Sequence, residues 1–281
     1  MKKMAPRSAP AEPFFLQANC GRRFCLYHAP RAEKECRGAF IYVHPFGEEM
    51  NKSRRMTALQ ARAFAGMGFG VLQIDLFGCG DSSGDFSDAR WDIWMEDLAI
   101  ACMWLKKRVP APVGLWGLRL GALLALDFAR NSKKQIGQII LWQPIISGEL
   151  FLTQFLRLRV ASEMLSTDGG KTGGTNALRN TLKEGASVEV AGYELAPGLA
   201  STIDKLKAAE LVVKDTPVHW FEMVSAQNRG MTAAGKRVVS AWKQAEVDLH
   251  VHLVPCLPFW ATQEITECAE LKFATLNAFA C

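Results

Sequence analysis

The sequence predicts a doubly wound α/β fold: a mostly parallel sheet with helices on both faces and an insertion after its sixth strand. Three observations lead there. Short apolar runs alternate with helical patterns at the spacing of β-α-β units. The run at 113–116 passes through Gly117-Leu118-Arg119-Leu120-Gly121 into a helical pattern at 122–130 with almost nothing between. The rhythm breaks from about residue 147 to 215 and then resumes.

Taken in order, 14–20 and 23–28 read as an antiparallel hairpin around Asn19-Cys20-Gly21. Residues 38–44 are almost continuously apolar, as a central strand covered on both faces requires. A loop with Pro45, Gly47, Glu48 and Glu49 follows. A helix is then expected from about Ser53, burying Met56, Leu59, Ala63 and Phe64. Residues 70–76 form the next strand and lead into a loop rich in Gly and Asp. Asp88 is expected to cap a long amphipathic helix that buries Ile93, Trp94, Leu98, Ala101, Cys102 and Leu105. The strand at 137–142 leads into Gln143-Pro144.

Within the insertion, 151–165 predicts a helix with Phe155, Leu156, Leu158 and Val160 set against Arg157 and Arg159. Residues 168–176 read as a flexible Gly/Thr-rich stretch, 187–195 as a strand and 197–206 as a helix. The sheet resumes at 217–224 and 248–254, with a helix between, and a final helix is expected over 262–279. The expected organisation is a disordered tail at 1–13, a core at 14–147 and 216–281, and a cap at 148–215. There is no internal repeat.

Composition narrows the functional classes. A charge of +5 is spread along 281 residues, with basic clusters at 52–55 and 106–108 but no basic stripe with interleaved aromatics, so nucleic acid is not an expected partner. No apolar run reaches the length of a membrane span, and the basic, Pro/Ala-rich N-terminus lacks the apolar core of a signal peptide. A cytoplasmic location is therefore expected. The eight cysteines, at 20, 25, 36, 79, 102, 256, 268 and 281, form no C-x-x-C pair and no zinc-spaced cluster. Reduced thiols, no metal and no cofactor are expected.

A strand that turns through Gly-x-Xaa-x-Gly directly into a helix is the nucleophile elbow of the α/β-hydrolases, whose glycines let strand and helix pass closely. Such enzymes carry Ser, Cys or Asp at the centre, and this chain carries Arg119. Arginine stays protonated in proteins and cannot act as a nucleophile. The usual base, a histidine in the loop after the last strand, is also missing from Pro255-Cys256-Leu257-Pro258-Phe259-Trp260. His250 and His252 alternate inside the preceding strand, Glu222 lies within a strand and Asp215 precedes it. Gly80-Asp81-Ser82-Ser83-Gly84 matches G-x-S-x-G literally but lacks the strand-turn-helix context, so it reads as a structural glycine loop. Ser82 remains the alternative nucleophile. Cys79, in the same loop, is a second one if its pKa is lowered.

Several segments together resemble one family. They are the stretch His44-Pro45-Phe46-Gly47-Glu48-Glu49-Met50-Asn51-Lys52-Ser53-Arg54-Arg55-Met56, then Gly78-Cys79-Gly80-Asp81-Ser82-Ser83-Gly84-Asp85, and residues 116–124. Leu141-Trp142-Gln143-Pro144, Glu189-Val190-Ala191-Gly192-Tyr193-Glu194-Leu195 and Phe259-Trp260 complete the set. The chain is similar, from about residue 14 onward, to the α/β-hydrolase-superfamily proteins called exosortase A system-associated hydrolase 2. The resemblance implies a bacterial protein encoded beside exopolysaccharide and envelope-sorting genes, and an arginine at the elbow fits that family. It implies no substrate.

Arg119 admits two compatible readings. It is an ion-pair partner of Glu48, Glu49, Asp75, Asp81 or Asp85, or it receives an anion by bidentate hydrogen bonding. A ligand that displaces a glutamate satisfies both. Leu118, Phe46, Gln143 and Trp260, with Trp142 and Phe259, are expected around it at strand ends. Glu48 and Glu49, placed in an extended loop, are expected to point apart and so not to serve as a glycosidase pair. The expected function is a non-classical member that binds an anionic small molecule or a partner of exopolysaccharide and envelope assembly. The alternatives are a hydrolase or acyltransferase on an ester or thioester through Ser82 or Cys79, and a purely structural role in a complex.

Overall fold

The computed structural model describes residues 10–31, 35–132, 135–165, 173–225 and 230–280. Most of the tail at 1–13 and of the glycine-rich stretch at 168–176 lies outside the described residues. The chain opens with the hairpin β1 (Glu12–Ala18) and β2 (Gly21–His28). β3 (Gly38–Val43), β4 (Phe69–Ile74), β5 (Val113–Leu118), β6 (Ile139–Trp142), β9 (Val218–Val224) and β10 (Leu249–Pro255) complete one sheet. A separate short hairpin, β7 (Val188–Val190) and β8 (Tyr193–Leu195), lies in the insertion. The sheet order is β1-β2-β4-β3-β5-β6-β9-β10. β2 pairs antiparallel with β1 and β4, and every other pairing in the sheet is parallel.

Alternation along the buried strands divides the core in two, because successive side chains leave a strand on opposite faces. Ile41, Leu72, Leu115, Leu141 and Trp220 pack on one face with α2 (Trp91–Arg108) and α3 (Leu120–Asn131). Phe40, Tyr42, Trp116, Trp142 and Phe221 pack on the other with α1 (Glu48–Gly66) and α8 (Ala269–Asn277).

Three helices begin elsewhere than their apolar periodicity suggests. α1 starts at Glu48 rather than near Ser53, because Gly47, at φ 55 and ψ −132, turns the chain out of β3 at once. Its buried face includes Ser53, Thr57 and Gln60, so the apolar stripe understates it. α2 starts at Trp91: Asp88 instead closes a separate turn, accepting the Asp85 N–H at 3.1 Å. α8 starts at Ala269 because Thr262 bonds the carbonyls of Phe259 (3.2 Å) and Glu264 (2.7 Å), holding a local turn in place of a helix.

The insertion contains α4 (Gly148–Leu165), α5 (Gly174–Lys183), the β7–β8 hairpin and α6 (Pro197–Lys205). The single strand expected at 187–195 is a hairpin, since Ala191 and Gly192 both take positive φ (51 and 83). α7 (Ala233–Gln244) joins β9 to β10. Phe151 and Phe155 of α4 meet Phe46 edge-on at 5.6 and 5.1 Å, and Tyr193 meets Phe86 at 5.1 Å. The insertion thus rests on the loops at the carboxyl edge of the sheet.

Cys256 and Cys268 are brought together where the end of β10 meets the start of α8, with their Cα atoms at 6.0 Å. Cys20, Cys25, Cys36, Cys79 and Cys102 lie outside this pairing. Among the described residues no helix is long and apolar enough to cross a membrane.

Candidate functional site

The parallel registers set Val43 beside Gly117, Leu118 beside Trp142 and Trp142 beside Phe221. The carboxyl ends of β3, β5, β6 and β9 therefore open onto one place. Arg119 stands there with φ 55 and ψ −116, between β5 and α3. Such a conformation costs a side-chain-bearing residue roughly 1–3 kcal/mol and is held only by its surroundings. Its N–H donates to the Trp142 carbonyl at 3.0 Å, and its own carbonyl accepts from Ala122 (3.1 Å) and Ile145 (3.3 Å). At Gly121 a Cβ would lie 2.3 Å from the Val43 carbonyl oxygen, so only glycine lets α3 pass β3 this closely. The elbow is complete in backbone terms, with a cation at its apex.

The Arg119 Nε donates to Glu49 Oε1 at 3.3 Å, with side-chain exposures of 17% and 21%. Among the described residues, nothing accepts from the two Nη groups, so the forked end of the guanidinium is open. Its central carbon lies 5.2 Å from the Trp260 ring centroid, a cation–π distance. The other Glu49 oxygen is buried and has no hydrogen-bond partner. Burial raises the Glu49 pKa, and Arg119 only partly opposes this.

Of the five acidic partners considered from sequence, the structure selects Glu49 alone. Glu48 is exposed and accepts from Asn51 (3.0 Å) and Tyr193 (3.1 Å). Asp75 receives Arg54 at 3.1 Å and the Asp81 N–H at 3.0 Å. Asp85 closes the turn with Asp88. Glu48 and Glu49 do point apart, but on the first turn of α1 and not in an extended loop.

Gln143, at φ 42, accepts the Met223 N–H at 2.6 Å and bonds the Glu222 carboxyl. Glu222 also accepts the Trp220 indole N–H at 2.9 Å. Burial raises its pKa, while these two bonds and Arg119 act to lower it. Set aside in the sequence for lying inside a strand, Glu222 is in the electrostatic field of Arg119. Leu118, at the end of β5, is fully buried. Phe46, also buried, packs among Phe86, Trp94, Phe151 and Phe155. Trp142 and Phe259 are likewise core residues.

The two alternative nucleophiles occupy structural positions. The Ser82 hydroxyl donates to the Asp75 carbonyl at 2.5 Å and accepts the Phe24 N–H at 2.9 Å, tying its loop to β2. Cys79 is buried, and burial, then Asp75 and Asp97, push its thiol pKa up, the reverse of what a nucleophile needs. His44 is spent on the Pro45 carbonyl (2.7 Å) and the Leu76 N–H (3.2 Å). His250 and His252 each stack on His219, which lies 4.8 Å from Phe279 on the α8 side. Among the described residues no group of three His, Cys, Asp or Glu could hold a metal ion.

Residues 34–241 match the family described as serine aminopeptidase, S33. The chain belongs to this family. No curated protein matches it. Its fold is that of the α/β-hydrolases. It is similar to Est1E from Butyrivibrio proteoclasticus bound to ferulic acid, with a TM-score of 0.66 and 13% identity over 95% of this chain and 100% of that one. A soluble variant of monoglyceride lipase from Saccharomyces cerevisiae, in complex with a substrate analogue, gives 0.64 and 14% over 99% and 96%. The α/β hydrolase GrgF from Penicillium sp. sh18 gives 0.61 and 17% over 97% and 96%. This S33 family member keeps the hydrolase scaffold, with Arg119 between β5 and α3 and Trp260 in the loop after β10.

Proposed function

We propose that this chain is a non-catalytic member of its superfamily that binds an anionic small molecule on Arg119. The observation that carries the reading is the open fork: a largely buried guanidinium, held at the elbow by backbone, stacked on Trp260 and bonded to protein through Nε alone. Two parallel N–H groups at a partly desolvated site suit a carboxylate or phosphate. The engaged hydroxyl of Ser82 and the raised pKa of Cys79 weigh against serine or thiol chemistry. The insertion acts as a cap, with Phe46 as the joint against α4.

The resemblance to exosortase-associated proteins supports a ligand drawn from exopolysaccharide or envelope assembly. The proposed location is the cytoplasm.

Labelling with a fluorophosphonate probe, read by intact mass beside a serine-esterase control, tests the absence of serine chemistry. No adduct on this chain is expected, and an adduct mapped to Ser82 overturns the reading in favour of an ester or thioester hydrolase or acyltransferase. Calorimetric titration with benzoate tests the site itself. Arg119→Ala, checked for folding by circular dichroism, is expected to weaken binding by at least about tenfold.

A further inference from the structure

Glu49 has the features of a stand-in for a ligand. Its carboxylate touches Arg119 through one oxygen at 3.3 Å, a long single contact where a carboxylate on a guanidinium can make two short ones. Its second oxygen is buried without a partner, an arrangement that leaves the ionised form poorly compensated. It sits on the first turn of α1, behind Gly47 at φ 55, and among the described residues its carboxylate makes no hydrogen bond to the main chain. The free Nη pair offers an incoming group the two parallel bonds that Glu49 does not make.

From these features we infer that the ligand of this site carries a carboxylate that displaces Glu49 from Arg119, and that Glu49 takes up a proton as it is displaced. The inference rests on the anion-binding reading of Arg119. It also narrows the chemistry. The group already on the guanidinium is a carboxylate, which favours a carboxylate ligand over a phosphate.

Displacement moves an ionised carboxylate away from its one countercharge. Among the described groups, Arg119 from the elbow is the charge acting on Glu49. Arg119 also acts on Glu222 of β9, while Tyr193 of β8 and Asn51 of α1 bind Glu48 instead. Burial already raises the Glu49 pKa, so a carboxyl that loses Arg119 and stays buried takes up a proton. The proton comes from solvent, and no covalent bond is made or broken.

The test is isothermal titration of the intact protein with benzoate, in two buffers of different ionisation enthalpy, for wild type and Glu49→Gln. In wild type we expect net uptake of up to one proton per benzoate and binding that tightens as pH falls from 8 toward 5.5. In Glu49→Gln we expect roughly tenfold tighter binding, no proton uptake and a flat pH profile over that range. Benzoate bound by wild type without proton uptake overturns the displacement, and so does equal affinity in the two proteins; both leave the Arg119 reading standing. Benzoate bound by neither folded protein removes both. The wild-type proton count decides the matter even where Glu49→Gln does not fold. Phenylphosphonate binding as tightly as benzoate overturns the carboxylate class alone.

Discussion

The Trp260 indole lies against the Arg119 guanidinium, with 5.2 Å between the ring centroid and the central carbon. In the catalysts of this fold the corresponding contact is a hydrogen bond between a nucleophile and a histidine that takes its proton. Here the elbow residue and its neighbour from the loop after β10 are a cation and a π face. The pair attracts, but it contains no group that can accept a proton from a hydroxyl.

Placing a serine at the apex is therefore not enough. Arg119→Ser is expected to give no fluorophosphonate adduct and no hydrolysis of p-nitrophenyl acetate above the wild-type background, because Trp260 offers no base. An adduct mapped to the substituted position would show that another group activates the new hydroxyl.

Cys79 is expected to resist alkylation in the folded protein. Burial pushes its pKa up, so at pH 8 it holds almost no thiolate, whereas Cys20 is exposed. Iodoacetamide followed by peptide mapping should show Cys20 modified first and Cys79 only after unfolding. The reverse order would reopen the thiol-nucleophile reading.

Arg23 and Asp97 form an ion pair at 2.6 Å with both side chains about 1% exposed. Asp97 also accepts the Phe77 N–H at 2.8 Å, joining β2, α2 and the loop after β4. Arg23→Met leaves a buried carboxylate without its cation and is expected to cost about 3–5 kcal/mol in urea unfolding. Arg23→Met with Asp97→Leu should recover much of that loss, short of the Phe77 N–H left unbonded. A single-variant loss below about 1 kcal/mol would contradict the pair's role.

The histidine stack makes stability depend on pH. Burial, and then the neighbouring His250 and His252, lower the His219 pKa from 6.5 to about 4. Burial and His250 lower that of His252. The unfolded chain binds protons that the folded chain refuses, so these groups leave stability intact above pH 6.5 and erode it as pH falls from 6.5 toward 4. For a partly exposed ring the His219 contribution is on the order of 1 kcal/mol after solvent screening. His219→Gln should flatten the unfolding free energy between those limits, and an unchanged slope would assign the acid sensitivity elsewhere.

Much of the fold was legible because its signals are local. The strands at the centre of the sheet are buried on both faces, and their apolar runs say so directly. Helix starts were less legible where a polar side chain did something the periodicity does not register: Gln60 buried in α1, Asp88 closing its own turn, Thr262 bonding nearby carbonyls. The β7–β8 hairpin was missed because Ala191 gives no warning of its positive φ.

At the site the division is sharper. The sequence by itself determined the elbow, the arginine at its apex and the missing histidine, because a tight turn between a strand and a helix needs its glycines within five consecutive residues. The tertiary structure decided which of five acids pairs with Arg119, that Trp260 covers it, that Glu222 lies in its field, and that Cys256 meets Cys268. Those residues come from loops and strands distant in the chain. Only the register of β3, β5, β6 and β9 brings their ends to one place, and that register depends on packing across the whole sheet and not on any local run.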